Sequence, residues 1–267
     1  MFYNSTLYLL VLTFFFSFSC QEPEGDNDRV LVITPPTDMG SNEVDMISNQ
    51  NSDQSMPIMG EGIELSLRAI NPLSNQGVVG LTANLVLDGS SDAMDNMAIT
   101  DSTGTVKFNV EERVNYEVTL EGDDYVTHHL FGEIGDQPAE QISFVSTQSL
   151  TQQVLSSLGL TSDPDKGIVV IGLDRPNLAP AIGTIVDLDT EYDKAFILGS
   201  FGPSEGNEII SGGGGFVSFA NVLPGQVNVL VQPQAGENCT VFPRNESAEY
   251  VIPIYAGEVS IVAFICQ

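Results

Sequence analysis

Asp187, Asp189, Glu191 and Asp193 stand at every second position and put four carboxylates within seven residues. On one strand face such charges repel unless they are solvated, splayed in a loop or neutralised by a cation. Ca2+ is the cation whose chemistry fits, because it takes six to eight oxygens in irregular geometry. An EF-hand is excluded: Tyr192 occupies the position that needs Gly, and Leu198 the one that needs Glu. A solvated edge is the expectation and irregular Ca2+ binding the alternative. Asp88, Asp92 and Asp95 form a looser cluster of the same kind.

Other chemistry is sparse. His128 and His129 are the two histidines of the chain. Neighbours on a strand point to opposite faces, so they cannot chelate one metal together, and a single His without a second soft ligand is a poor zinc site. The glycines at 212–215 lack the Lys and Ser/Thr of a phosphate loop and read as a turn. No catalytic residue is expected. Tyr192, Phe196 and Phe201 lie in one Gly-flanked stretch and are the candidates for stacking on a sugar, with core packing as the alternative.

The charge balance narrows the partners. Thirty-six acidic residues against eight basic ones give a net charge of -28, so the lysines and arginines that neutralise phosphates are lacking and nucleic-acid binding is set aside. The same balance sets aside adhesion to anionic lipid by charge.

Residues 7–19 form an uncharged, largely apolar run. That is too short for a membrane span and right for the core of a secretory signal. The run ends in Ser17-Phe18-Ser19-Cys20, which resembles a bacterial lipobox, and the resemblance implies that Cys20 carries a lipid. Ser17 stands where Leu is usual, and no Lys or Arg precedes the run. If Cys20 is acylated, Cys239 and Cys266 remain as a disulfide pair, as expected for an exported protein. Residues 21–59 are rich in Pro, Asp, Asn, Ser and Glu, with one apolar patch at Val30–Ile33. This composition buries too little surface to order itself and reads as a disordered acidic tether.

From Ile63 the pattern alternates with period two. Ile63, Leu65, Leu67 and Ala69 are apolar, as are Val106, Phe108 and Val110, then Tyr116, Val118 and Leu120. Each set reads as a half-buried strand. Leu150, Val154, Leu155 and Leu158 share a helical face over 149–160, with Ser149 or Thr151 to cap it and Gly159 to end it. Val227, Val229 and Val231 mark another strand, and Val259–Ile265, apolar on both faces, reads as a central one.

An internal repeat is visible. Gly104-Thr-Val106-Lys-Phe108 matches Gly215-Phe-Val217-Ser-Phe219, and at the same offset of 111 residues Tyr116, Val118 and Leu120 fall on Val227, Val229 and Val231. The first copy reads Thr100-Asp101-Ser102-Thr103-Gly104, Phe108, Tyr116-Glu-Val118-Thr-Leu120, Gly122 and Tyr125. The second reads Lys166-Gly167-Ile168-Val169, Gly215 to Phe219, Leu223-Pro224-Gly225 and Val227–Val231. These motifs resemble the carboxypeptidase regulatory-like domain, a transthyretin-like β-sandwich. The second copy has glycines in place of the Thr-Asp turn, and the first lacks the Pro-Gly. The resemblance implies a fold and not peptidase activity.

The sequence therefore predicts an all-β chain: two tandem Ig-like or transthyretin-like sandwiches joined by a short helix and preceded by a disordered acidic linker. The expected boundaries are a signal peptide at 1–19, a lipidated tether at 20–59, a first sandwich at 60–146, a helical linker at 147–165 and a second sandwich at 166–267. The expected role is a non-catalytic cell-envelope lipoprotein acting as a binding or scaffold module. It would be anchored by lipid in the outer membrane, facing periplasm or surface, with an envelope protein or a glycan as partner. Carbohydrate binding and Ca2+-dependent adhesion are the alternatives.

Overall fold

A computed structural model describes residues 62–88, 96–111, 114–199, 202–242 and 249–267. The apolar run, Cys20, the tether, Asp92, Asp95 and Phe201 lie outside the described residues. Seven strands come first: β1 (Ile63–Ile70), β2 (Thr82–Leu87), β3 (Met97–Ile99), β4 (Thr105–Val110), β5 (Asn115–Glu121), β6 (His128–Glu133) and β7 (Ala139–Phe144). Helix α1 (Gln148–Ser157) follows. The remaining strands are β8 (Gly167–Asp174), β9 (Ile185–Leu188), β10 (Lys194–Gly199), β11 (Gly202–Glu205), β12 (Gly213–Val222), β13 (Gly225–Gln232), β14 (Cys239–Val241), β15 (Glu249–Ile254) and β16 (Val259–Cys266).

The alternation read in the sequence is the burial observed. Leu65, Leu67, Ala69, Val106, Phe108, Val110, Tyr116, Val118 and Leu120 are all buried in one core. A second core gathers Val169, Ile171, Leu173, Val217, Phe219, Val227, Val229 and Phe264. The Thr-Asp turn before β4 has a clear physical role. Asp101 accepts the Thr103 and Thr105 backbone N–H groups at 2.8 and 3.0 Å and the Thr103 hydroxyl at 2.7 Å. Buried Thr100 donates to the Val78 carbonyl and accepts the Leu81 N–H.

The two parts of the chain share a strand pattern. In the first, β1 pairs antiparallel with β4 and parallel with β7, while β5 pairs antiparallel with β2 and β6. In the second, β8 pairs antiparallel with β12 and parallel with β16, while β13 pairs antiparallel with β9 and β15. The sequence repeat lies on this correspondence, with β4 on β12 and β5 on β13. Gly104 and Gly215 both carry the left-handed φ that glycine adopts at no steric cost, +79° and +75°.

The halves are not separate in the sheet. β16 pairs in parallel with β6, matching Val259 to His128 and Val262 to Phe131. That link produces one 10-stranded sheet, in the order β11-β10-β12-β8-β16-β6-β5-β2-β3 with β14 also on β16. Side chains alternate across this wall. Leu130 is buried in the first core and Ile261 packs against it, whereas Phe131 and Val262 belong to the second.

Helix α1 covers the second half of the wall on the face opposite its core, where Leu155 packs on Phe196 and Ala220. Its cap is Thr147, whose hydroxyl accepts the Leu150 N–H at 3.2 Å, rather than Ser149 or Thr151. Thr147 wins because its extended backbone is where the helix starts. At the other end Gly159 and Leu160 donate to the carbonyls of Ser156 and Leu155, the double bond pattern of a Schellman cap. Asn221 then fastens the following segment: its amide donates to the Thr161 carbonyl and to Asp193, and its oxygen accepts the Asp163 N–H.

Cys239 and Cys266 are a register pair of β14 and β16 and are joined by a disulfide. The bond closes a loop spanning 27 residues, which in the chain-entropy account contributes roughly 3.5 kcal/mol. Replacing both cysteines by Ala is therefore expected to lower the urea-unfolding free energy by about that amount. An unchanged midpoint would show that the crosslink does not constrain the unfolded chain.

Candidate functional site

The carboxylates singled out in the sequence do not converge. β9 ends at Leu188 and β10 begins at Lys194, so the acidic run is mainly a connection and not one strand face. All four side chains are exposed. Asp187 accepts the Tyr192 hydroxyl at 2.9 Å, Asp189 accepts the Asn228 N–H at 2.7 Å, and Asp193 faces Lys166 and Asn221. The Asn221 and Lys166 hydrogen bonds hold the Asp193 carboxyl below the usual carboxylate range. Among the described residues no group of three His, Cys, Asp or Glu side chains is placed to hold a metal ion. Asp88 accepts from the Asn115 amide at 2.8 Å.

The two described aromatic candidates, Tyr192 and Phe196, do not share a face. Phe196 is buried under α1, while Tyr192 packs edge-on against Phe219 at 4.9 Å, on the side of the second core. The two rings serve opposite faces of one sheet: four residues apart within a strand they would share a face, but Tyr192 lies in the connection before β10. A buried Phe196 offers no face to a sugar.

The histidines are where the structure concentrates its perturbed groups. His128 is buried. Its Nδ1 lies 2.6 Å from the Val126 carbonyl and must donate to it, and its Nε2 accepts the Ser146 N–H at 3.2 Å. That is a neutral imidazole with the proton on Nδ1, assigned from its partners. Burial pushes its pKa down to about 4, against the opposing pull of the Val126 carbonyl.

His129 points to the other face. Its Nδ1 is 2.7 Å from Glu117 and its Nε2 2.5 Å from Glu258, and its ring lies 4.2 Å from that of Tyr255. Glu117 belongs to β5, whereas Tyr255 and Glu258 belong to the turn between β15 and β16. Tyr255 also reaches Glu117 with its hydroxyl at 3.3 Å, and Tyr250 donates to the Gly132 carbonyl at 3.0 Å. These ties cross from one half of the chain to the other. Sequence spacing gives no sign of them, because the partners of His129 stand 12 and 129 residues away.

A polar cavity of about 490 Å³ lies at the start of α1, lined by Asp123, Asp124, Thr147, Gln148, Ser149 and Gln152. Its walls offer carboxylates, amides and hydroxyls, without an aromatic ring.

No known protein family matches the chain, and no curated protein matches it by sequence. Among solved structures, the Bacillus anthracis TIE protein superposes with a TM-score of 0.26 at 13% identity, over 76% of this chain and 34% of that one. The minor pilin GBS52 of Streptococcus agalactiae gives 0.26 at 12% identity, over 76% and 95%. The shaft pilin SpaA of Lactobacillus rhamnosus GG gives 0.25 at 5% identity, over 77% and 98%. This chain spans about a third of the TIE protein's length. Superpositions this loose establish no shared fold.

His128 makes a pH prediction. Its folded pKa, about 4, lies below the ordinary histidine value of 6.5. The unfolded chain therefore binds the proton first, and stability falls as pH drops from 6.5 to 4. At 1.36 kcal/mol per unit, this withdraws about 3 kcal/mol across that window. In His128→Asn, whose amide can stand in for Nδ1, that part of the slope is expected to vanish. Urea unfolding of both proteins at pH 7 and pH 4.5 measures it, and parallel losses would show that His128 is not the group responsible.

Proposed function

We propose that this protein is a non-catalytic cell-envelope lipoprotein: a lipid-anchored acidic tether that presents a rigid β scaffold to an envelope partner. The observation that carries the reading is the use of the cysteines. Two of the three are joined as Cys239–Cys266, a bond typical of exported proteins. The third, Cys20, stands where the apolar run gives way to the polar acidic segment. Among the described residues no helix is long and apolar enough to cross a membrane; in this reading the anchor is a lipid on Cys20. Gln21, rather than Asp, follows the cysteine and favours the outer membrane.

A scaffold also accords with the side chains. Both ring nitrogens of each histidine are taken up by structural partners. The large rigid wall suits presentation of a surface, and the net charge of -28 keeps it soluble and directs it to a basic or neutral partner. The repeated strand pattern supports the reading of two tandem sandwich modules of transthyretin-like type, arisen by duplication, with α1 and its trailing segment as the connection between them.

Lipidation is tested directly. The intact protein is expected to carry acyl mass on an N-terminal Cys20 and to partition with outer membranes. Cys20→Ala is expected to move it to the soluble fraction with its disulfide intact. Native protein without acyl mass, or a variant that stays membrane-bound, would overturn the anchor.

A further inference from the structure

The hydrogen-bonding inventory at His129 does not close with a neutral ring. A carboxylate can only accept, and both ring nitrogens face carboxylate oxygens, Glu117 Oε1 at 2.7 Å and Glu258 Oε2 at 2.5 Å. A neutral imidazole has one N–H and one lone pair, so one of these contacts would set a lone pair against a lone pair. The imidazolium satisfies both. The residue is 7% exposed, so water cannot readily take the place of a lost partner.

The three groups come from different parts of the fold. Glu117 is on β5 and His129 on β6, both in the first half, while Glu258 sits just before β16 in the second. The turn that carries Glu258 also carries Tyr255 over the imidazole and onto Glu117. The contact lies at the start of the β6–β16 pairing, where Ser260 is registered with His129.

We propose that His129 is a protonation-dependent clasp between the two halves of the protein: as imidazolium it ties Glu117 to Glu258 across the seam, and its deprotonation releases the turn at 255–258.

The surroundings set the direction of the switch. Burial opposes the charge, but the hydrogen bonds and charges of Glu117 and Glu258 outweigh it, and the pKa of His129 is raised above the ordinary histidine value. The other groups facing the ring do not compete. Tyr255, pushed up to about 12 by burial and by Glu117, stays neutral. Thr119 on β5 approaches Nδ1 at 3.4 Å without charge. His128, next along β6, is neutral above about pH 4. A histidine with a raised folded pKa contributes stability that is complete below its unfolded value of 6.5 and is lost as pH rises through the folded value. The seam therefore tightens toward mild acid and loosens toward alkali, opposite in sign to His128 beside it.

The test is a pH titration of the full chain between pH 5 and 9, following the two imidazoles by NMR and backbone hydrogen exchange at 128–131 and 255–262. His129 is expected to titrate above 6.5. Corrected for intrinsic base catalysis, exchange at the seam is expected to rise as pH passes through that same value, by up to tenfold per pH unit. In Glu258→Gln, which keeps the shape and removes one carboxylate, the His129 pKa is expected to fall, with seam exchange already fast at pH 6. A His129 pKa at or below 6.5 overturns the clasp, and so does corrected exchange that stays flat across the titration. If Glu258→Gln does not fold, the titration of the native chain decides alone.

Discussion

The parallel pairing of β16 with β6 is the constraint on which the rest of the structure depends. Each strand otherwise ends the run of its own half, β3-β2-β5-β6 in one and β11-β10-β12-β8-β16 in the other, with β14 pairing β16 only at Phe264–Cys266. Left open, each would present a row of unpaired N–H and C=O groups. Joining them satisfies both rows and makes a single wall. Strand side chains alternate, so the same four registered residue pairs can serve two cores. Leu130 and Ile261 face one, while Phe131 and Val262 face the other.

The layers follow from that wall. The β4-β1-β7 unit and α1 lie on the face that carries His128, Leu130 and Ile168; the β15-β13-β9 unit lies on the other, with Phe131 and Val262. The part of the second face beyond the β15-β13-β9 unit is reached by Tyr250 and Tyr255, whose hydroxyls bond Gly132 and Glu117. Adjacent histidines on one strand thus meet opposite environments. One is sealed among backbone groups and kept neutral. The other is held between carboxylates and kept charged.

The parts of this arrangement that depend on local pattern were legible in the sequence. β1, β4, β5 and β13 announce themselves by alternation, α1 by its apolar face and closing Gly159, β16 by being apolar on both sides, and the repeat by its constant offset. The disulfide follows from cysteine number. β6 was hidden, because His-His-Leu-Phe-Gly-Glu does not alternate: it is buried on both faces, and one of those faces belongs to the distant half. For the same reason Glu258 and Tyr255 carry no local mark. The acidic run and the spacing of Tyr192 and Phe196 are regularities of the sequence that do not carry over to one face of the fold. Spacing of two promises one face only within a strand, and 187–193 leaves β9 before reaching β10.

The position of β16 in the wall also has a bearing on how the molecule is made. The strand that unites the sheet comes after every other strand described, so β6 and β8 must both wait for it with an edge unfilled. Pairings of such long sequence separation are slow, since the chain must close a large loop before any contact rewards it. An early first half would meanwhile be open to pairing with a stranger.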